Sequence, residues 1–299
     1  MSYKPPPEIA VAGVQSGVAK AALPWDKALV AGFLAGAYIA FAGLLAVVAS
    51  AGLDPARWGG LETLVTGGVF ALGLILVIVA GGELLTGNLA FLPMALMERR
   101  VSVRHVSRNL LWVLIGNLLG SLFVAYFLAK ETGVITAPVP LARLAAIATA
   151  KAHTETDWQI FLRAVGCNWL VCLAVWMALG AEDIAGKVLA IFFPIMAFVA
   201  LGFDHVVANM FFLPAAIFAH VPGIGWDDTV KNLVFALLGN AVGAGVFVAT
   251  AYWYLYLRGS DGDDTAADRA RIATTVPAGA VVAIRARSAA VSSPSDPRR

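Results

Sequence analysis

Long apolar runs without charged residues alternate with short polar stretches along most of the chain. Reading outward from each charged residue gives six runs, at residues 28–53, 63–82, 110–129, 164–181, 188–203 and 232–257. About 20 apolar residues of helix cross the hydrocarbon core of a bilayer, so each run has a length suited to one crossing. The pattern therefore predicts an all-α integral membrane protein with six transmembrane helices.

The second and fifth runs each continue beyond an acidic residue. Glu83 ends the second run and Asp204 ends the fifth, yet apolar sequence resumes at residues 84–97 and 206–219. This indicates two helices that are interrupted part-way. Backbone that leaves helical geometry inside a membrane must be buried in protein or line a wet cavity, so both interruptions are expected at the axis of the protein.

The chain also contains an internal repeat of three predicted helices. NLLWVLIGNLLGSLFVAY, which begins at Asn109, aligns with NLVFALLGNAVGAGVFVA, which begins at Asn232, and GGELLTGNLAFLP at residues 81–93 aligns with GFDHVVANMFFLP at residues 202–214. The second alignment pairs Glu83 with Asp204, Asn88 with Asn209, and Pro93 with Pro214. Three helices in one copy make the second copy cross the membrane in the opposite sense. This is the inverted repeat of many transporters and channels, in which interrupted helices mark the substrate path.

Small residues recur four apart in the first of these alignments. Gly116 and Gly120 match Gly239 and Gly243. Small residues let two helix backbones approach closely in a membrane. These helices are therefore expected to pack tightly, either within one protomer or between protomers.

Composition and charge agree with a membrane protein and predict its orientation. Hydrophobic residues make up 60% of the chain and charged residues 13%, about half the charged fraction usual in soluble domains. Lysine and arginine are more frequent in the loops on the side of the N-terminus, which predicts that both termini are cytoplasmic in the cell membrane. The net charge of +2 includes no basic stripe with interleaved aromatics, so nucleic acid is not a predicted partner. The predicted segments are a cytoplasmic N-terminal part (1–27), a six-helix transport domain (28–257) and a disordered cytoplasmic tail (258–299).

Each predicted interruption leaves a half-helix that begins near the middle of the membrane. Free N–H groups at such a start attract anions. Asn88 and Asn209 are predicted to cap the two starts. Pro93 and Pro214 are predicted to lie in the following turns, because the missing N–H of proline is best tolerated near a helix start.

The two acidic residues need a partner, since a free carboxylate in an anion path would repel the solute. We expect Glu83 and Asp204 to be structural braces whose carboxylates accept from N–H groups of the interrupted loops. Asp204 is also placed to reach a lysine such as Lys151.

His205 is the most informative residue of the second interruption. Ionisable residues inside membranes are costly and usually mark ion or proton pathways, and an imidazole titrates near neutral pH. His205 is therefore predicted to offer a proton or a polarised N–H to a small weak-acid anion, with Thr86 hydrogen-bonded to it across the pore. The alternative is a satisfied packing histidine. Bulky side chains near the interruptions are candidates for constrictions or for packing: Phe70, Leu74, Leu84, Leu85 and Phe198.

Three motifs resemble those of the formate/nitrite transporter family. They are GGELLTGN at residues 81–88, GCNWLVCLAVW at residues 166–176 and GFDHVVANMFFLP at residues 202–214, and the resemblance covers roughly residues 29–257. It implies an aquaporin-like six-helix protomer, assembled as a homopentamer in the lipid bilayer, with a separate pore in each protomer.

The resemblance also implies roles for individual residues. His205 would face Thr86 in the middle of the pore, within a polar network of Asp204, Asn168, Asn209 and Lys151. Leu84 and Leu85 would form the constriction on the cytoplasmic side. The other constriction would consist of Phe70, Leu74 and Phe198.

The implied substrates are small monovalent anions, namely formate and nitrite, with hydrosulfide, acetate or lactate in some members, passed by channel-like permeation or together with a proton. The main alternative is an aquaporin-type channel for neutral solutes, although neither interruption reads Asn-Pro-Ala. An enzyme is disfavoured, because the sequence has no His-Glu-x-x-His metal site and no nucleotide-binding loop. No cofactor, metal site or catalytic residue is predicted.

Overall fold

Helices build almost all of residues 3–259, the part of the chain that the computed structural model describes. In chain order the main helices are α1 (Pro6–Ala22), α2 (Trp25–Ser50), α3 (Leu61–Gly81), α4 (Leu85–Met97), α5 (Val103–Lys130), α6 (Pro138–Thr149), α7 (Asp157–Gly180), α8 (Ile184–Ala200), α9 (Val206–Phe218) and α10 (Trp226–Tyr256). A single helical turn, Pro55–Trp58, lies between α2 and α3. Within the described range no β-strand is present, which confirms the predicted all-α class.

Helix length and hydropathy separate two groups of apolar helices. In the described residues, α2, α3, α5, α7 and α10 are long and apolar enough to cross a membrane. The shorter apolar helices are α4, α8 and α9. The predicted fifth run corresponds to α8, which has only 17 residues and therefore needs the adjoining segment to complete a crossing.

Both predicted interruptions are present. Gly81, the last residue of α3, has φ of 94°, and Gly202, in the gap between α8 and α9, has φ of 70°. These are left-handed backbone conformations, which glycine adopts without the strain that a Cβ would cause. The matched glycines of the repeat therefore set where each helix stops.

Close helix pairs lie within the protomer. A Cβ at Gly120 of α5 would overlap the carbonyl oxygen of Phe33 on α2, and a Cβ at Gly243 of α10 would overlap that of Val165 on α7. The glycines four apart therefore pack α5 on α2 and α10 on α7. Of the two arrangements considered from sequence, packing inside one protomer accounts for these contacts.

The N-terminal helix α1 was not expected from the search for membrane-length runs. Its buried side chains include Ile9 and Val14, and a Cβ at Gly17 would overlap the carbonyl oxygen of Phe91 on α4. The predicted N-terminal part (1–27) thus contains α1 and the first residues of α2. The predicted tail (258–299) lies, from residue 260 onward, outside the described residues.

Candidate functional site

The two interruptions meet through His205 and Thr86. Nε2 of His205 lies 3.0 Å from Oγ1 of Thr86, and both side chains are buried. The backbone N–H of Ala208 donates to Nδ1 of His205 over 3.1 Å. Nδ1 is therefore the unprotonated nitrogen of a neutral imidazole, and Nε2 carries the hydrogen that it donates to Thr86. The sequence-predicted contact between these two side chains is present.

The capping groups of the two half-helices differ from those expected. The N–H of Leu85, at the start of α4, donates to Oδ1 of Asn117 over 2.9 Å. The N–H of Val206, at the start of α9, donates to Oδ1 of Asn240 over 2.9 Å. These two bonds come from the neighbouring helices α5 and α10, and at the start of α9 the imidazole of His205 caps a further N–H, that of Ala208. The internal repeat could have indicated this role, because Asn117 and Asn240 occupy matched positions of the two copies.

Asn117 and Asn240 also bind the other side of each gap. Nδ2 of Asn117 donates to the carbonyl oxygen of Glu83 and Nδ2 of Asn240 to that of Asp204, each over 2.9 Å. One buried amide therefore joins the backbone before and after each interruption. In a membrane, where unpaired backbone groups are costly, this satisfies the polar atoms that the helix break exposes.

Asn88 and Asn209 bind the acidic side chains rather than capping the helices. Nδ2 of Asn88 lies 2.7 Å from Oε2 of Glu83, and Nδ2 of Asn209 lies 2.9 Å from Oδ1 of Asp204. Pro93 and Pro214 lie inside α4 and α9, in turns that follow the helix start, and each removes one helical hydrogen bond.

Lysines complete both carboxylate clusters. Nζ of Lys151 lies 2.6 Å from Oδ1 of Asp204, and Nζ of Lys20 lies 2.9 Å from Oε1 of Glu83. Lysine and asparagine side chains, rather than the expected loop N–H groups, thus bind the carboxylates. Lys20 lies on α1, outside the membrane-length runs, and was not predicted as a site residue. The alignment of Glu83 with Asp204 is the sequence signal that could have indicated a cation for Glu83 as well.

Asn168 contacts the site through backbone atoms. Its Nδ2 donates to the carbonyl oxygens of Thr86, over 3.1 Å, and Asn240, over 2.8 Å. Sγ of Cys172, one turn further along α7, lies 3.4 Å from the carbonyl oxygen of Thr86. The fourth predicted helix therefore holds the start of α4 in place beside His205.

A cavity of about 280 Å³ lies on one side of His205. We call it the vestibule; its polar and aromatic lining consists of Glu62, Thr63, Thr66, Arg143, Lys151, Glu155, Arg163, His205, Asn209, Phe70, Phe198, Phe203 and Phe212. Three cationic side chains line it, and each is paired with a carboxylate: Arg143 with Glu62, Lys151 with Asp204, and Arg163 with Glu155. The vestibule is thus rich in charge but balanced when all six groups are ionised.

Two phenylalanines close the vestibule next to His205. The rings of Phe70 and Phe198 meet edge to face with centroids 6.0 Å apart, and Phe198 stacks on the imidazole of His205 at 5.9 Å. Both rings also border a second cavity of only about 10 Å³, lined in addition by Leu74 and Leu84. That volume is about the minimum for one water molecule, so there is little open space beyond the two rings.

Four of the five residues predicted for constrictions border this small cavity: Phe70, Leu74, Leu84 and Phe198. They include Leu74 and Leu84, which the family resemblance assigns to different constrictions. Leu85 is buried at the start of α4 and lines neither of these two cavities. Its backbone N–H, bound to Asn117, is the part of this residue that serves the interruption.

A sequence profile of the formate/nitrite transporter family matches residues 7–254. The chain belongs to the formate/nitrite transporter family. This transporter is 46% identical over 272 residues to a probable formate transporter of Methanothermobacter thermautotrophicus, with 86% of this chain and 98% of the relative covered.

Two solved structures share the fold of this formate/nitrite transporter. An FNT family ion channel superposes with a TM-score of 0.77 at 33% identity, covering 83% of this chain and 98% of that chain. A pentameric formate channel with formate bound superposes with a TM-score of 0.69 at 32% identity, covering 78% and 98%. The predicted family is confirmed, and its long apolar helices make the transporter a multi-pass membrane protein.

Proposed function

We propose that this protein passes small monovalent anions, formate or nitrite, through a pore inside each protomer. The observation that carries the proposal is the position of His205, which lies where the charged vestibule meets the Phe70–Phe198 closure. The formate transporter and the formate-bound channel described above support formate as a substrate, and the family description supports nitrite.

Electrostatics favour an anion at this point. The buried N-terminus of α9 begins directly after His205, and helix starts carry roughly half a positive charge. Lys151 lines the same vestibule, with only 11% of its side chain exposed. Nε2–H of His205 then donates to the anion in place of its hydrogen bond to Thr86.

A proton would help the anion past the closure. The small cavity beyond Phe70 and Phe198 holds at most about one water, so a bare anion would lose its hydration there. Formate and nitrite are conjugate bases of weak acids, and the neutral acid crosses such an apolar segment at far lower cost. Proton coupling at His205 is therefore part of the proposed mechanism.

Hydrogen bonds that occur twice, at matched positions of the two copies, support the inverted repeat. The carbonyl oxygens of Lys20 and Lys151 accept from Asn109 and Asn232 respectively, and these asparagines are matched positions of the two copies. The first copy comprises α2, α3 with α4, and α5; the second comprises α7, α8 with α9, and α10. Together with the lysine–carboxylate clusters, the contacts favour an aquaporin-like protomer with six crossings, of which the second and fifth are interrupted.

Assembly and location follow from the same resemblance. The pentameric formate channel supports a homopentamer, in which outer apolar side chains such as those of Phe127 and Phe193 face neighbours or lipid. The charge distribution of the loops supports a cell-membrane protein with both termini in the cytoplasm.

The decisive experiment is a flux assay in liposomes that contain the purified protein. Uptake of formate, nitrite and glycerol is measured from about pH 5 to about pH 8, so that the supply of protons for the weak acids varies while carboxylic acids stay largely ionised in solution. Wild type is compared with His205→Ala and with the matched control His105→Ala, which removes an exposed histidine bonded to Ser102.

We expect anions to cross faster than glycerol, with a pH response that His205→Ala alters and His105→Ala leaves unchanged. Flux should also fall in the order formate, acetate, lactate, because the closure is narrow. Free passage of glycerol with little anion flux would favour the aquaporin-type alternative. An unaltered pH response in His205→Ala would make His205 a packing residue.

A further inference from the structure

Glu155 is buried at the vestibule and has no role in the proposed passage of the anion past His205. It lies in the turn before α7, outside the membrane-crossing helices, and only 6% of its side chain is exposed. Oε1 accepts from Nη1 of Arg163 over 2.5 Å. Oε2 is buried and has no hydrogen-bond partner within residues 3–259. A buried carboxylate oxygen without a donor is destabilising, so this oxygen requires an explanation.

Asp204 presents the same feature next to it. Oδ1 of Asp204 binds Lys151 and Asn209, whereas Oδ2 is buried and has no partner in the described part of the chain. The carboxyl groups of Glu155 and Asp204 lie within hydrogen-bonding reach of each other. Two ionised carboxylates would repel at this separation, whereas one proton gives one group an O–H donor and leaves the other as acceptor.

We propose that Glu155 carries this shared proton, and that its loss or gain sets the net charge of the vestibule and thereby the affinity for anionic substrate. With Glu155 ionised, three cations face three carboxylates and the vestibule is neutral. With Glu155 protonated, one positive charge is in excess. The inference rests on the proposed anion transport, and it adds a residue that tunes substrate capture at a distance from His205.

The surroundings of Glu155 place this change near neutral pH. Burial raises the pKa of Glu155, and the carboxylate of Asp204 raises it further, to about 7, against the lowering effect of Lys151 and Arg163. Below that pH Glu155 is protonated and the vestibule is positive. As pH rises through about 7 the proton is lost, and the capture of anions weakens.

Other charged groups near Glu155 do not replace it in this role. His153, two residues earlier, is exposed and bonds the carbonyl oxygen of Gly223, with Asp228 of α10 at 3.9 Å. Across the vestibule, Glu62 is paired with Arg143. The carboxylates of Asp228 and Glu62 are not part of the Glu155–Asp204 pair. Glu62 therefore offers a matched control for the removal of one negative charge.

The test measures initial rates of formate uptake into liposomes and separates KM from the maximal rate, from about pH 6 to about pH 8. Formate stays ionised throughout, because carboxylic acids titrate well below this range. Wild type is compared with Glu155→Gln, whose amide can donate to Asp204 as the protonated acid does, and with Glu62→Gln.

In wild type we expect KM to rise on the order of fivefold with pH, the scale of one unit charge in a partly screened vestibule. Glu155→Gln should keep a low KM at every pH. Glu62→Gln should lower KM but retain the rise with pH. A Glu155→Gln protein whose KM follows pH as in wild type would overturn the proposal.

A second measurement does not depend on transport. Infrared difference spectra of the purified wild-type protein should show the carbonyl band of a protonated carboxylic acid, which disappears as pH rises through neutrality and is missing in Glu155→Gln. Absence of such a titrating band in wild type would refute the shared proton, whatever the variant does. Presence of the band without any anion flux would instead refute the proposed function and leave the proton assignment standing.

Discussion

Replacing Asn240 with alanine should destabilise the protein more than any other single amide removal in α10. The side chain makes three buried hydrogen bonds, at 2.8 Å to the carbonyl oxygen of Ala164, at 2.9 Å to that of Asp204, and at 2.9 Å from the N–H of Val206. Alanine leaves the N–H of Val206 and the carbonyl oxygen of Asp204 without this partner, whereas the carbonyl oxygen of Ala164 lies inside α7 and keeps its helical hydrogen bond.

The expected size follows from these contacts. A buried polar group left without its partner costs about 1–3 kcal/mol, so these two groups predict a loss of about 4 kcal/mol in the free energy of unfolding. The loss should not be recovered by lipid, which offers no hydrogen bonds. Asn117→Ala, at the matched position of the first copy, should cost a similar amount because Asn117 makes the equivalent bonds to Gly32, Glu83 and Leu85.

The assay is reversible denaturant unfolding in a fixed detergent, followed by tryptophan fluorescence. Thr250→Ala is the matched control, since this exposed hydroxyl makes one hydrogen bond, at 2.8 Å to the carbonyl oxygen of Gly245. We expect the control to change the unfolding free energy by less than about 0.5 kcal/mol. An Asn240→Ala effect as small as that of the control would refute the view that this amide holds the interruption together.

Three further predictions concern the neighbouring contacts. Asp204→Asn should retain selectivity for anions, because the amide oxygen can still accept from Lys151. If this variant instead passes cations in preference to anions in liposomes, Asp204 is not a structural brace. Thr86→Val, which removes the acceptor of the His205 Nε2–H, should lower thermal stability by about 1–2 kcal/mol, whereas Thr86→Ser should not. Gly120→Val should abolish the monodisperse size-exclusion peak by separating α5 from α2, whereas Gly245→Ala, with open space around its Cβ, should behave as wild type.

Much of this transporter could be read from local sequence, because the membrane imposes simple local rules. Run length predicted where the long helices lie, and the charges at Glu83 and Asp204 predicted where two of them stop. The internal repeat is visible in the sequence alone, and it pairs the matched residues of the two copies. Thr86 and His205 could then be placed face to face, since each lies in one of two interruptions that must both be buried.

Capping partners, ion pairs and the shared proton depended on the tertiary structure. Whether Asn88 or Asn117 accepts the first N–H of α4 depends on distances of a few ångströms between helices that are separated in sequence. The role of Lys20 depends on how α1 packs against α4, which no membrane-length pattern reveals.

Glu155 illustrates the same division. In the sequence it is one acidic residue in a polar stretch between helices, where a solvated role is the usual one. Only the fold buries its Oε2 atom, brings its carboxyl group to that of Asp204 and directs Oε1 to Arg163. Hydropathy is a property of each segment and can be read along the chain, whereas the partners of a buried polar atom are set by packing in three dimensions.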